Sequence, residues 1–403
     1  MRIGHYAFDP TSPGGMASYI RRLGSAQQAR GDDVILLARD EPTAPNGFPI
    51  SVAPTEAALF NTASALDLDV LHLHHPIRGA VPEARVPTVR TMHDNSASCP
   101  SGSTFLATSE QPCNRAFTYG GCLWGHLVDH CGSRRPHNVT KHFRSIRQEQ
   151  ALLAELPTMT VSAYMRDAIV RSGGRGDRIT VVPSPAPALD ETVVPPPRED
   201  PPRFVFAGRI EPKKGLDWFL RALERCPGVR ADVAGSGADV YVDAMKRRAD
   251  TLGLTDRVTF HGWLAEADVY ALYRGARAVV FPSIYHEPAG LVTLEAAALG
   301  RAVITSRVGG IPEYAHPSFA LLCEPGDVAG LAAHMTTLAN DWAQAQRMGA
   351  AGVAIMKTRH AMGPFLDTVD RVYQQAMAPQ NRSVPPARHR HGPSPVELPA
   401  TDG

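Results

Sequence analysis

Phe204-Val205-Phe206-Ala207-Gly208-Arg209-Ile210-Glu211-Pro212-Lys213-Lys214-Gly215 runs an apolar stretch straight into a glycine and then into a cationic turn. Four apolar residues bounded by glycine read as a strand buried on both faces, the kind a parallel sheet requires. Downstream, Arg230 to Ala234, Val258 to His261, Ala278 to Phe281 and Ala302 to Thr305 repeat the pattern with helical stretches between them. Upstream, Pro183 to Pro202 is too rich in proline for a core strand or a helix interior. Beyond it lies an earlier series: strands Arg2 to Tyr6, Asp33 to Leu37, Asp69 to Leu73, Thr88 to Met92, Met159 to Ser162 and Ile179 to Val182. Helices are expected at Ala17 to Arg30 and Phe143 to Leu156. The same βαβα rhythm on both sides of a proline-rich linker predicts an α/β chain of two Rossmann-like domains facing across a cleft. The expected division is a first domain over 1–184, a linker over 185–202, a second domain over 203–363 and a crossover helix over 364–377. The tail over 378–403 lacks apolar periodicity and is expected to be disordered.

The 403 residues are 43% apolar and 20% charged, ordinary values for a globular protein of two domains. A net charge of +1 excludes a nucleic-acid partner held by bulk charge. No apolar run approaches the roughly 18 residues of a membrane span, and Met1-Arg2-Ile3-Gly4 enters a strand pattern with no secretory segment ahead of it. A cytoplasmic location is expected, where cysteines serve as thiols or metal ligands rather than disulfides.

Four motifs follow predicted strands, where a doubly wound sheet places its ligands. Gly208 permits a close turn, and Arg209 and Lys214 bring two cations suited to a diphosphate. A solvated surface turn is the alternative. Ala234-Gly235-Ser236-Gly237-Ala238 is a glycine turn of low specificity. In His261-Gly262-Trp263-Leu264, the residues Gly262, Trp263 and Leu264 can meet a nucleobase, or Trp263 can pack between domains. The fourth is Glu287-Pro288-Ala289-Gly290-Leu291-Val292-Thr293-Leu294-Glu295. A helix starting near Leu291 would aim free N–H groups and a partial positive charge at a phosphate. Glu287 and Glu295 could each accept hydrogen bonds from hydroxyls, although the pair alone also fits a capped helix with one exposed acid.

Taken together, the Gly-Arg-…-Lys-Gly turn and the Glu-x7-Glu spacing resemble the retaining glycosyltransferases of family 4, which have the GT-B fold. Pro282-Ser283, Val308-Gly309-Gly310-Ile311-Pro312-Glu313 and Glu324-Pro325-Gly326-Asp327 follow the same family pattern, as does the Pro13-Gly14-Gly15-Met16 turn. The resemblance covers residues 1–377 and is densest over 204–330. It implies a hexosyltransferase acting on a nucleoside diphosphate-sugar with retention, by same-face attack of an acceptor hydroxyl. It also implies that Arg209 and Lys214 neutralise the diphosphate, Glu287 holds a sugar hydroxyl and Glu295 the ribose hydroxyls. Backbone N–H groups of Ala289, Gly290, Leu291 and Val292 would meet sugar and phosphate, with Gly14 and Gly15 approaching from the other domain. His93 would line the acceptor side, while His72 and His74 are read as structural. No metal or other cofactor is implied. Ser184 and Ala289 depart from the usual Asn and Phe, which bears on donor choice. An epimerase on the same fold, or a non-catalytic nucleotide-sugar-binding protein, stays open.

Residues 94–140 break the βαβα rhythm with Gly, Ser, Cys and His. Cys99, Cys113, Cys122 and Cys131 could hold a structural zinc, or remain free thiols; Cys122, His126 and His130 would share a face if 123–130 is helical. Arg134, Arg135, Lys141, Arg144 and Arg147 follow and could meet a phosphorylated or lipid-linked acceptor at a membrane, or simply be solvated. The acceptor is left as a glycan, a glycolipid or a small molecule.

Overall fold

The computed structural model describes residues 1–12, 14–43, 47–77, 81–82, 86–188 and 193–378. The tail expected to be disordered lies, from residue 379 on, outside the described residues, as does Pro13. The first half contains β1 (Arg2–Ala7), β2 (Asp33–Ala38), β3 (Ile50–Val52), β4 (Val70–Leu73), β5 (Thr88–Met92), β6 (Phe105–Leu106), β7 (Gln111–Pro112), β8 (Thr158–Thr160) and β9 (Ile179–Val181). Seven of these form a parallel sheet in the order β3-β2-β1-β4-β5-β8-β9. The second half supplies β10 (Arg203–Ala207), β11 (Arg230–Ala234), β12 (Val258–Gly262), β13 (Ala278–Phe281), β14 (Ala302–Ser306) and β15 (Ala320–Cys323). They form a second parallel sheet in the order β12-β11-β10-β13-β14-β15.

The central strands are buried along their length, as in Val34 to Ala38 and Phe204 to Ala207. Helices cover both faces, so these strands read as continuous apolar runs rather than alternating ones. Strand order reverses between β1 and β4 in one sheet and between β10 and β13 in the other. Loops leaving the carboxyl ends of strands at such a reversal diverge and open a crevice. Gly14 and Gly15 follow β1; Arg209 and Lys214 follow β10; Glu287 follows β13. The topology therefore aims the predicted motifs at one place.

Helix Met362–Met377 returns to the first sheet, where Phe365, Val369, Val372 and Tyr373 join Ile3, Val70, Val89 and Met159 in one apolar cluster. Elsewhere Phe105 enters the second half's core, Ala289 packs against the cluster that holds Met92 and Val161, and polar contacts add to these. Glu313 accepts the backbone N–H groups of Ala163 and Tyr164, each at 2.7 Å. These start helix Ala163–Arg171 and have no intrahelical acceptor. Ser162 Oγ donates to the Pro288 carbonyl at 2.6 Å.

Residues 94–140 are more regular than expected. They hold the hairpin β6–β7 and a helix, Tyr119–Leu127, before helix Pro136–Glu155 begins. Helix 119–127 stops short of His130, which adopts φ +53°. Cys122, His126 and His130 therefore do not share one helical face.

Candidate active site

The short turn Pro212–Lys214 ends at Gly215, with φ +76°. A Cβ at Gly215 would collide with the Pro282 carbonyl, so glycine alone lets the turn after β10 lie against the loop after β13. That approach brings Lys214 Nζ to 2.7 Å from Glu287 Oε1. Ser283 Oγ donates to the same oxygen at 2.7 Å, and the Tyr285 hydroxyl donates to Oε2 at 2.6 Å. Glu287 is only 5% exposed, and this set of one ammonium and two hydroxyls compensates its burial. Beneath it, Gly309 has φ +59°, and a Cβ there would sit 2.5 Å from the Glu287 carbonyl oxygen. The family-like Gly309-Gly310 pair is thus the floor of the Glu287 loop, with Gly310 N donating to the Glu287 carbonyl at 2.8 Å.

Gly290 caps helix Leu291–Ala298, accepting from Thr293 N at 2.8 Å. The N–H groups of Leu291 and Val292 belong to the first turn and lack intrahelical acceptors. Both residues line a cleft of about 920 Å³ between the domains. Gly14, Gly15 and His93 line it from one side. Gly208, Arg209, Lys214, Trp263, Leu264, Glu287, Ala289 and Glu295 line it from the other. Gly262 and Gly290 shape the walls without lining them; Gly262, at φ +71°, passes its carbonyl to Gly235 N at 2.7 Å. Trp263 is 60% exposed beside the cleft, which removes the alternative that it packs between domains.

The cationic lip is richer than the sequence suggested. Arg209 is largely exposed and, among the described residues, bridges only to Glu211 at 3.0 Å, so its guanidinium can turn into the cleft. Lys213 joins it, 4.9 Å from the Tyr285 ring centre, with its ammonium pKa lowered by burial. Glu295 is not a free acceptor. Arg22, on helix Gly15–Ala29, reaches across the cleft to its Oε1 at 2.8 Å and to the Tyr270 hydroxyl at 3.1 Å. Burial raises the Glu295 carboxyl pKa, and Arg22 opposes that rise. Arg22 and Tyr285 were missed because nothing in local spacing singles them out.

His93 ends a string of buried imidazoles. Its Nε2 lies 2.9 Å from His74 Nδ1; His74 Nε2 lies 3.0 Å from His5 Nδ1; His5 Nε2 lies 2.8 Å from Gln27 Oε1. The amide nitrogen of Gln27 donates to the Tyr373 hydroxyl at 3.2 Å. A carbonyl oxygen only accepts, so His5 carries its proton on Nε2. His5 Nδ1 must then accept from His74, and His74 Nδ1 from His93. His93 is left with a bare Nδ1 on the cleft side, ready to accept from a hydroxyl. Burial pushes His5 down to about 4 and His93 to about 3, and holds His72 and His74 well below the ordinary range. His5, His72 and His74 crowd together like metal ligands, but all six of their ring nitrogens already have hydrogen-bond partners. His74, expected to be structural, also fixes the tautomer of His93.

Cys99, Cys113, Cys122 and Cys131 all line one cavity of about 70 Å³ together with His126. A zinc ion with sulfurs at about 2.3 Å would hold its ligands within about 4 Å of one another. Among the described residues, no three of these sulfurs come within 4.8 Å of one another. Of the two readings offered for these thiols, the spacing does not fit a shared zinc. Burial keeps the Cys113 and Cys122 thiols above their ordinary range and pushes Cys131 up to about 12.

Comparison with known proteins agrees with this geometry. The chain is 28% identical over 397 residues to glycogen synthase of Mycobacterium tuberculosis, covering 85% of this chain and 86% of that one. It is 33% identical over 189 residues to D-inositol 3-phosphate glycosyltransferase of Mycobacterium bovis, covering 46% of this chain and 32% of the relative. Sucrose-phosphate synthase from Thermosynechococcus elongatus superposes with a TM-score of 0.69 at 19% identity, covering 94% of this chain and 99% of that one. Anabaena HepE in complex with UDP-glucose gives a TM-score of 0.69 at 18% identity over 93% of this chain and all of that one. Residues 13–187 match Glycosyltransferase Family 4, and residues 190–354 match Glycosyl transferases group 1. Two family matches laid end to end over two facing Rossmann-like domains place this chain among the group 1 glycosyltransferases, with the GT-B fold.

Proposed function

We propose that the protein moves a hexosyl group from a nucleoside diphosphate-sugar to an acceptor hydroxyl with retention of anomeric configuration. The observation that carries this reading is the convergence of Arg209, Lys213, Lys214 and the start of helix Leu291–Ala298 on Glu287 in a cleft between two domains. The diphosphate seats on the three cations and on the N–H groups of Leu291 and Val292, which stabilise charge as the leaving group departs. Glu287 accepts a donor-sugar hydroxyl through a carboxylate held still by Ser283 and Tyr285. Glu295 takes the ribose hydroxyls, sharing them with Arg22. His93 Nδ1 accepts a further hydroxyl. The acceptor oxygen attacks C1 on the face that the diphosphate leaves. The C1–O bond breaks with its electron pair going to the β-phosphate, and the acceptor proton passes to that phosphate oxygen. The cations do the work of a divalent ion, so chelator leaves the rate unchanged. The acceptor is a glycan, a glycolipid or a small polyol.

The Anabaena complex makes UDP-glucose the first donor to try, followed by GDP- and dTDP-sugars. Release of nucleoside diphosphate that depends on added acceptor, with the product anomer matching the donor, supports the reading. Acceptor-independent interconversion of the donor would point to an epimerase instead. Binding without turnover for every donor and acceptor would point to a binding protein. A Glu287→Ala protein that binds donor without turnover fits the role assigned; full activity overturns it.

A further inference from the structure

Helix Tyr119–Leu127 is built inside out. Its inward side carries Gly121, Cys122, Gly125 and His126, which line the cysteine cavity. Its outward side shows Leu123, Trp124 and Leu127 to solvent, continued by Val128, at 42, 58, 50 and 44% exposure. A soluble helix ordinarily buries that stripe. The neighbouring Tyr119 is exposed too, but it is tied down by Arg147 Nε at 3.2 Å and by packing on Phe117 and Phe143. Trp124 has no such tie among the described residues.

Along the sequence, the charge that follows this stripe has one sign. From residue 116 to residue 148 Asp129 is the only acid, and Arg115 is already paired with it at 2.5 Å. Arg134, Arg135, Lys141 and Arg144 are all exposed on the segment that follows, at the start of helix Pro136–Glu155. The whole chain carries only +1, so this concentration is local. A tryptophan and three exposed aliphatic side chains, followed by four exposed cations of which Arg134 meets only the neutral-capable His130 ring at 3.3 Å among the described residues, match the boundary of an anionic bilayer, apolar below and phosphate-lined above.

We propose that this face seats the protein on a membrane of anionic lipid. Leu123, Trp124, Leu127 and Val128 enter the head-group boundary while Arg134, Arg135, Lys141 and Arg144 meet lipid phosphates. Pro100 and Ser101 line both the cavity under the helix and the interdomain cleft, so the docked face stands beside the cleft. The face thereby selects acceptors that are themselves held in the membrane. This last step rests on the glycosyl-transfer reading; the docking does not.

The full chain is sedimented with vesicles of phosphatidylcholine alone, or with about one third phosphatidylglycerol. Binding is expected only to the anionic vesicles, and high salt weakens it. A Trp124→Ser, Leu127→Ser protein loses at least tenfold in partitioning, and Arg134→Glu, Arg135→Glu loses roughly 25-fold or more, at about fivefold per removed cation. Nucleoside diphosphate affinity in the cleft stays unchanged in both, which shows that they fold. Absence of binding to anionic vesicles, or equal binding by the serine protein, overturns the proposal. A native dimer that the serine substitutions convert to monomer, without vesicle binding, assigns the face to a second copy and overturns it as well. Vesicle binding that persists while nucleoside diphosphate binding proves absent in the native chain leaves docking standing and removes the transfer reading.

Discussion

Replacing Glu287 by Gln should make nucleoside diphosphate bind more tightly while transfer slows. Oε1 of Glu287 holds Lys214 at 2.7 Å, with the two side chains 13% and 7% exposed, so the pair is well shielded. A diphosphate arriving at Lys214 must share that ammonium with the carboxylate. Charge-assisted hydrogen bonds are worth about 1.5–3 kcal/mol against about 0.5–1.5 for neutral ones. Glutamine therefore releases about 1.5 kcal/mol of the hold on Lys214, or roughly tenfold in diphosphate affinity. The substitution keeps shape and leaves no orphan: the amide oxygen accepts from Ser283 and Lys214, and the Tyr285 hydroxyl turns to accept the amide N–H. Transfer loses in the other direction. A sugar hydroxyl held by a neutral amide, beside a carbon that gains positive charge, forfeits about 1.5–3 kcal/mol, or roughly 10- to 150-fold in kcat. Calorimetric titration with UDP, GDP or dTDP and initial rates of acceptor-dependent release read the two effects separately. Raising salt should narrow the affinity gain. Affinity that falls in step with kcat would refute the reasoning, because Lys214 would then not be the group that meets phosphate.

Gly309→Ala places a Cβ 2.5 Å from the Glu287 carbonyl oxygen at φ +59°. About 1–3 kcal/mol of stability should be lost, and kcat should collapse as the Glu287 loop shifts; an unaltered thermal midpoint and rate would count against that floor. His74→Phe leaves the His93 Nε2–H without its acceptor at 2.9 Å. A cost of about 1–3 kcal/mol in stability is expected, and roughly tenfold in kcat/KM, while diphosphate affinity in calorimetry stays put; a rate equal to wild type removes His93 from the site. The buried histidines make stability depend on pH. Their folded pKa values, about 4 for His5 and about 3 for His93, lie below the unfolded 6.5. The unfolded chain binds protons first, so their contribution is whole above 6.5 and is lost as pH falls. At about pH 5.5 each imidazole costs roughly 1.4 kcal/mol. Thermal unfolding should drop by several degrees between about pH 7.5 and 5.5, and less in His5→Gln; a flat profile contradicts the buried string.

The parts of the site that could be read from sequence are those whose cause is local. Lys214 and Glu287 lie 73 positions apart, yet each follows a strand by a few residues, and Gly215 beside Lys214 is demanded by the close approach of the two loops. The strand order then brings them together without further information. Arg22 and Glu295 lie 273 positions apart, and the pairing depends on how one domain faces the other. Arg21, its neighbour, bonds Glu266 at 3.3 Å instead, and no periodicity in the helix separates the two arginines. The edge strand β3, Ile50–Val52, escaped for a different reason: its three residues are too few to show a period. The zinc alternative counted cysteines near one another in sequence, while the hairpin β6–β7 and helix 119–127 spread their sulfurs around a cavity rather than about a point.

Helix 119–127 carries that limit furthest. The helix itself is not read from the sequence, and even where one is, periodicity gives only the angle between two faces and never which of them turns inward. That is settled by what the neighbouring elements offer. Here helix Pro136–Glu155 already spends Val139, Ile146, Leu152 and Leu153 on the core. The cavity beneath helix 119–127 is lined by four thiols, His126, His286, Tyr164 and two arginines, Arg115 and Arg171. With that polar cavity beneath the helix, the apolar stripe of Leu123, Trp124, Leu127 and Val128 faces out. The donor half of the site, built from strand ends and glycine turns, is where local signals are strong. On the proposed reading, the acceptor half depends on which surface the apolar stripe seeks, which is what the vesicle experiment measures.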